Sequence, residues 1–175
     1  MTQQNELAWV GQGKSKIGTH EISGAKHSPI ILSMLEVVFQ ATGQKQWIKD
    51  DETAWCGTFV AYCMVKADLV RHVPKDFYRA KAWATVGTAI NKPAYGCIVV
   101  FNRNGGGHVG IVVGKDRHGN LMVLGGNQSD AVNIKPFSTS RVIAYRWCGT
   151  QTSPLASRYD LPVLSSDGKV STNEA

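Results

Sequence analysis

Apolar and polar positions follow two different periods along this chain, and the change falls near its middle. In the first half the spacing is helical. Ile30, Ile31, Met34, Leu35, Val37, Val38 and Ala41 recur at helical intervals, which makes one face of a helix apolar and turns it inward. Ser28 followed by Pro29 supplies an N-cap and a proline at the first helical position, and the run ends at Gly43. A second helix is predicted from about Thr53 to Ala67, with Phe59, Val60, Cys63, Met64 and Ala67 as its buried stripe. A third, shorter one is predicted from Asp76 to Val86, carrying Phe77, Ala80 and Trp83.

Beyond Pro93 the pattern becomes that of strands. Cys97 to Phe101 reads as a buried strand, and Asn102 to Gly107 as a flexible glycine-rich turn. His108 to Val113, Leu121 to Leu124, Val132 to Ile134 and Arg141 to Trp147 complete the set, with Lys115 to Asn120 as a polar hairpin loop. Strands so closely spaced, joined by short turns, form an antiparallel sheet. Helices first and sheet second is an α+β architecture. Residues 1–148 are expected to form one domain. From Gly149 onward Ser, Thr, Pro and Asp accumulate without periodicity, so 149–175 is expected to be a peripheral arm whose last ten or so residues are disordered.

Composition narrows the classes. A chain of 175 residues with 43% hydrophobic and 18% charged residues encloses a sizeable core without help from disulfides or metals. The longest nearly unbroken apolar run, Ile30 to Phe39, contains Ser33 and Glu36 and is too short to span a bilayer. Met1 to Glu6 lacks the basic and apolar regions of a secretory signal, so synthesis and folding in a cytoplasm are expected. The net charge of +6 favours an anionic partner. Nucleic acid is set aside, because the basic residues are scattered and form no Arg-rich helix or aromatic-interleaved strip. Gly13-Lys14-Ser15 resembles the end of a phosphate-binding loop, but Ala8 occupies the upstream glycine position and no strand precedes it.

The candidate chemistry starts from the four cysteines. No C-x-x-C or H-E-x-x-H spacing is present, so neither a structural zinc nor any other metal or cofactor is expected. Cys56 and Cys63 lie seven apart on one predicted helix, about 10 Å of rise and too far to bridge. Cys97 and Cys148 are near enough in chemistry to pair, though a reducing compartment favours free thiols. Cys56 opens its helix, where backbone N–H groups and the helix dipole are expected to lower a thiol pKa. Gly57 after it is expected to leave room for a substrate carbonyl. Cys63 reads as a core residue. His108 follows three glycines at the start of a strand, which puts an imidazole at a sheet edge where it can take the thiol proton. Gly110, on the same face, is expected to let a helix end approach. His20, His27, His72 and His118 stand in loop-like contexts and are weaker candidates.

A third group must orient such a histidine. Asn127 is the first choice at the end of the next strand, with Gln128 as the alternative and Asp130 behind it. The backbone N–H of Cys56 is expected to form part of an oxyanion hole. Trp55 and Trp47 flank the nucleophile and are candidate walls of a substrate groove, against the simpler reading of core aromatics.

The order of a helix-borne Cys, a strand-borne His and a polar residue on the next strand resembles that of papain-like CHAP and NlpC/P60 cell-wall hydrolases. Gly18-Thr19-His20-Glu21-Ile22-Ser23-Gly24 with His27-Ser28-Pro29-Ile30, Asp51-Glu52-Thr53-Ala54-Trp55-Cys56, Gly107-His108-Val109-Gly110 and Leu124-Gly125-Gly126-Asn127-Gln128 are similar to a phage and bacterial branch of small peptidoglycan hydrolases. The likeness spans roughly residues 7 to 147. It implies a papain-like fold, a Cys56 nucleophile, a His108 general base and an orienting Asn127, and cleavage of a stem-peptide amide through a thioester. Some CHAP relatives bind calcium near the cysteine; for Asp50, Asp51 and Glu52 capping of the helix is the expected role. The chain departs from the family at Gly96-Cys97, where Gly-Asp is usual. The expectation is therefore an endolysin-like, monomeric enzyme that acts on peptidoglycan in the periplasm after release. An interbacterial effector toxin and a non-catalytic wall-binding or virion domain are the alternatives.

Overall fold

The computed structural model describes residues 5–172. Helix α1, Ala8–Lys14, is absent from the pattern reading because two of its seven residues are glycines, each costly in a helix. One of them, Gly13, is a packing site. A Cβ there would lie 2.9 Å from Leu124 Cδ2 and 3.1 Å from the Phe59 ring, so only glycine lets α1 lie this close to its neighbours. The phosphate-loop-like Gly13-Lys14-Ser15 is thus the end of a packed helix.

Helix α2, Pro29–Ala41, begins as predicted, with the Ser28 hydroxyl accepting from Ile31 N at 3.5 Å. Helix α3 is shorter than predicted, Cys56–Lys66. Asp50 Oδ1 takes the Thr53 N–H at 2.6 Å and closes a separate turn, so the helix starts at the cysteine. Of the helix predicted over Asp76–Val86, only a 3₁₀ turn at Ala80–Thr85 forms. The Trp83 indole donates to the Phe77 carbonyl at 2.9 Å and ties the preceding segment into a tight corner.

The strands are β1 Thr88–Ile90, β2 Ile98–Arg103, β3 Gly106–Lys115, β4 Leu121–Gly125, β5 Asn133–Phe137 and β6 Val142–Trp147. They form one sheet in the order β1-β6-β2-β3-β4-β5, with every pairing antiparallel. The fold is α+β, as the pattern predicts. Strand β1 was not legible: its three residues carry no alternation and are mostly exposed. The turn expected over Asn102–Gly107 tightens to Asn104–Gly105, because Arg103 pairs with Gly106 and Gly105 takes a positive φ of 77°. At Gly96-Cys97 the turn closes through Cys97 N to Ala94 O, 3.0 Å, with no acidic residue.

The core between helices and sheet includes Phe39, Phe59, Met64, Trp83 and Ile98, all essentially inaccessible to water. All four cysteines are free thiols and buried. The C-terminal arm is tied down well beyond its expected ordered part. Leu164 N donates to Lys115 O at 2.8 Å, and Ser171 N to Pro136 O at 2.7 Å. Ser166 Oγ donates to Asp116 at 2.8 Å. Within the last ten residues, the backbone of Ser171 and the hydroxyl of Ser166 make these bonds to β5 and to Asp116, and residues 173–175 lie outside the described part.

Candidate active site

His108 lies on β3 with no exposed surface. Its ring is nearly parallel to Phe137, at 5.2 Å between centroids, and to Phe101, at 6.2 Å. Stacking fixes the ring plane, and a hydrogen bond fixes its rotation: Nε2 meets Gln128 Oε1 at 3.0 Å. The amide of Gln128 is itself held. Its Nε2 faces Val123 O (3.2 Å), Asn133 O (3.1 Å) and Asn133 Oδ1 (2.8 Å), and Asn133 Nδ2 donates back to Gln128 O at 2.8 Å. Three acceptors around the nitrogen leave Oε1 for the histidine, and an amide oxygen only accepts. The proton of neutral His108 therefore sits on Nε2, and the basic lone pair is on Nδ1.

Glycines make the room for this contact. A Cβ at Gly125 would come 2.1 Å from Gln128 Oε1 and 3.4 Å from His108 Nε2. The space beside Gly110 is taken by Val123 Cγ1, 2.4 Å from a Cβ there, and Leu124 O, so a neighbouring strand fills it and not the expected helix end. Asn127, the first choice for the orienting role, is fully buried one residue before Gln128 and adopts φ +58°. Ser129 and Asp130 share that left-handed conformation at 54° and 58°, which costs each residue free energy the surrounding contacts must over-determine. Asp130 is exposed, and its carbonyl takes the Glu21 N–H at 2.9 Å.

Cys56 is the first residue of α3 and is 4% exposed. The backbone N–H groups of Val109, the residue after His108, and of Gly57 act on its thiol and favour the thiolate. Helix α3 packs against β3, so the helix start and the histidine strand are neighbours. Burial pushes the Cys56 thiol above its ordinary value, although both N–H donors and the Arg103 charge pull it down. The thiol pKa lowering expected from the helix start alone is overturned, because desolvation of the thiolate exceeds what the dipole supplies. Gly57 is packed against the Phe77 carbonyl, which a Cβ would approach to 2.0 Å, so its missing side chain serves helix packing and not a substrate carbonyl.

The two tryptophans separate. Trp55 is 1% exposed and its Nε1 donates to Glu21 Oε1 at 2.6 Å; it is a core residue, not a groove wall. Trp47 is 58% exposed and meets Tyr78 edge-on at 5.1 Å. Tyr78 in turn follows Phe77, on which Gly57 packs, so Trp47 stands on the surface leading to the helix start. Asp50, Asp51 and Glu52 do not cap α3, whose N-cap is Trp55. Asp51, fully buried, instead accepts from Ile22 N (2.9 Å), Ser28 N (2.7 Å) and His27 Nδ1 (2.8 Å), fastening the 22–28 segment. Among the described residues, no group of three or more His, Cys, Asp or Glu is placed to hold a metal ion, and no helix is long and apolar enough to cross a membrane.

Sequence reasoning did not foresee Asn133, the Val109 N–H or Arg103. Asn133 is one of many loop-edge asparagines, and a backbone N–H has no signature in sequence. Residues 48–127 match the model of the CHAP domain family, a span that holds Cys56, His108 and Asn127 and stops one residue short of Gln128. No curated protein and no solved structure gives a match. CHAP domains are in general cysteine- and histidine-dependent amidases or peptidases that act on peptidoglycan. The matched span includes the helix-start Cys56 and the strand-borne His108, and the match is consistent with a CHAP peptidoglycan hydrolase-like protein.

Proposed function

We propose that the protein is an endolysin-like enzyme that hydrolyses an amide bond of the peptidoglycan peptide stem, with Cys56 as nucleophile, His108 as general base and Gln128 as the residue that orients the histidine. The observation that carries this reading is the pair of contacts on β3. Gln128 fixes the His108 proton on Nε2, and the N–H of Val109 beside it acts on the Cys56 thiol in favour of the thiolate. Asn127 remains the competing orienting residue, and the Gln128 contact favours Gln128.

In this mechanism the neutral thiol gives its proton to His108 Nδ1 as the sulfur attacks the stem carbonyl carbon. The developing imidazolium is stabilised through Nε2–H by the Gln128 oxygen. The Cys56 N–H, at the start of α3, faces the oxyanion. The C–N bond then breaks, and His108 returns the proton to the leaving amine, leaving a thioester on Cys56. Water attacks that thioester with His108 again as base, releasing the carboxylate product and restoring the thiol. The enzyme waits in the cytoplasm and acts in the periplasm as a monomer, and its +6 charge holds it near the anionic wall. Release of soluble muropeptides from purified sacculi tests the reading: wild type releases them and Cys56→Ala does not. Full lytic activity of Cys56→Ala, or sacculus binding by the wild type without any release, refutes it. Mass spectrometry of the same digests assigns the bond as amidase or endopeptidase.

A further inference from the structure

The chain has five tryptophans, all among the described residues. Trp9, Trp55, Trp83 and Trp147 are buried, and Trp47 alone is exposed. Its indole is nonetheless held in place. The next residue, Ile48, is buried and anchors the backbone, and the Gln46 amide donates to the Ile48 carbonyl at 3.0 Å. The indole is also the outer end of a row of aromatic contacts that starts in the core. Phe39 meets Phe77 at 5.1 Å between centroids, Phe77 meets Tyr78 at 5.6 Å, and Tyr78 meets Trp47 at 5.1 Å, each edge-on. A ring fixed at the surface in this way binds a ligand with little further loss of side-chain freedom.

The surroundings of the indole indicate the ligand. Exposure alternates over 44–49: Lys45, Trp47 and Lys49 are exposed, Gln44 and Gln46 are half-buried and Ile48 is buried. That period of two puts both lysines on the outer side with the indole. Among the described residues the ion pairs are Lys14–Glu6 and His27–Asp51, so neither ammonium group is paired with a carboxylate. The Arg79 guanidinium adds a third cation, 6.0 Å from the Tyr78 ring centroid. One carboxylate is close, that of Asp76, which accepts from the Tyr78 hydroxyl at 3.3 Å. The patch also lies beside the start of α3. A Cβ at Gly57, the residue after Cys56, would stand 3.2 Å from the Tyr78 carbonyl carbon.

We infer that Trp47 is a carbohydrate subsite, on which a hexosamine ring of the glycan strand stacks while the stem joined to it reaches Cys56, with Lys45 and Lys49 facing acidic groups on the same strand. The inference rests on the proposed hydrolysis of peptidoglycan stems and adds which part of the polymer is gripped away from the reacting bond. A pyranose ring presents a face of C–H bonds that is apolar and slightly positive, and an indole face is apolar and negative. The lysines draw the anionic groups that the stem carries. The enzyme therefore selects stems still joined to sugar over free stem peptides.

The test uses the Cys56→Ala protein and three soluble probes: a disaccharide-linked stem peptide, the same stem peptide without sugar, and a short single-stranded DNA. Iodide quenches exposed indoles, so it reads Trp47 against the four buried tryptophans. The disaccharide-linked peptide is expected to protect Trp47 from iodide and, by calorimetry, to bind about tenfold more tightly than the sugar-free peptide. Adding Trp47→Ala should bring that ratio close to one, and Trp47→Tyr in its place should restore most of it. Equal affinity of Cys56→Ala for the two peptides, or a ratio that survives Trp47→Ala, overturns the proposal. So does equal protection by the DNA, which would mark a general polyanion surface. The comparison of the two peptides does not depend on how any Trp47 variant folds. Muropeptide release from sacculi by the wild type, measured alongside, keeps two failures apart. Release together with equal affinities refutes the sugar subsite alone, whereas protection by the disaccharide-linked peptide without release supports the subsite and refutes the hydrolase reading.

Discussion

Helix α3 carries a buried cysteine at its first residue and another two turns later, and the two ends differ in what reaches the sulfur. Cys63 is inaccessible and has the rings and methyls of the core around it. Burial drives its thiol far above the ordinary range, with only its own backbone and the distant Lys16 charge opposing. Cys56 is almost as buried, but the Val109 N–H and the Arg103 charge, both from the far half of the sequence, act to lower its thiol. Burial raises both thiols. What distinguishes the candidate nucleophile is a set of donors from another element, together with a histidine one residue from one of them.

That contrast predicts its own largest effect. Cys56→Ala is expected to reduce muropeptide release by at least about a thousandfold. Cys63→Ala should leave turnover within a few-fold and cost about 1–2 kcal/mol of stability, read from denaturant unfolding, because it only opens a small core cavity. Comparable activity losses in the two variants would erase the distinction.

Next in size is the histidine's support. Gln128→Ala is expected to lower kcat about 10- to 100-fold with little change in KM, since Nε2 loses the acceptor that fixes the proton. Gln128→Glu puts a carboxylate beside the ring and favours the imidazolium, so the acidic limb of the pH–rate profile should move to higher pH. Asn127→Ala with the larger loss would instead make Asn127 the orienting residue. Gly125→Ala should copy Gln128→Ala, because a Cβ at 2.1 Å from Gln128 Oε1 must displace that amide. The double variant is then no worse than either single one, a non-additivity that kinetics of all three measures.

The smallest effect lies away from the site, in the 115–120 turn. Burial raises the Asp116 carboxyl, but bonds from Asn120, Ser166 and His118 outweigh it and hold it down to about 2. A carboxyl lowered by folding contributes stability that is present above its ordinary value of 3.8 and is lost as pH falls toward 2. Asp116→Ala should therefore leave activity unchanged, lower stability at neutral pH by about 1 kcal/mol, and flatten the acid limb of the unfolding curve. Unfolding monitored from pH 7 downward checks both.

Periodicity exposed the elements that bury a full stripe or alternate cleanly, namely α2, α3 and the strands β2 to β6. It missed α1, whose Gly13 is there for close packing and reads as a helix breaker in isolation, and β1, which is too short to alternate. The candidate site was legible as residue types in order: a cysteine at a helix start, a histidine after glycines, an amide at the next strand end. The choice between Asn127 and Gln128 was not. Adjacent residues with similar side chains differ only in where the backbone turns, and three positive φ values within 127–130 are set by tertiary contacts. Trp55 and Trp47 show the same boundary, since an indole at the core and one at the surface look alike in sequence.

The change from helical to strand period by itself determined an α+β chain, and local chemistry determined which side chains carry reactive groups. Those follow from near neighbours along the chain, where burial periodicity and capping act. Tertiary structure alone decided that the Val109 N–H acts on the Cys56 thiol, that Asn133 turns the Gln128 amide toward His108, and that Arg103 and Arg141 border one pocket. Each of these joins residues from separate elements, and hydrogen bonds and fields depend on distances of a few ångströms that only the packed sheet and helices set.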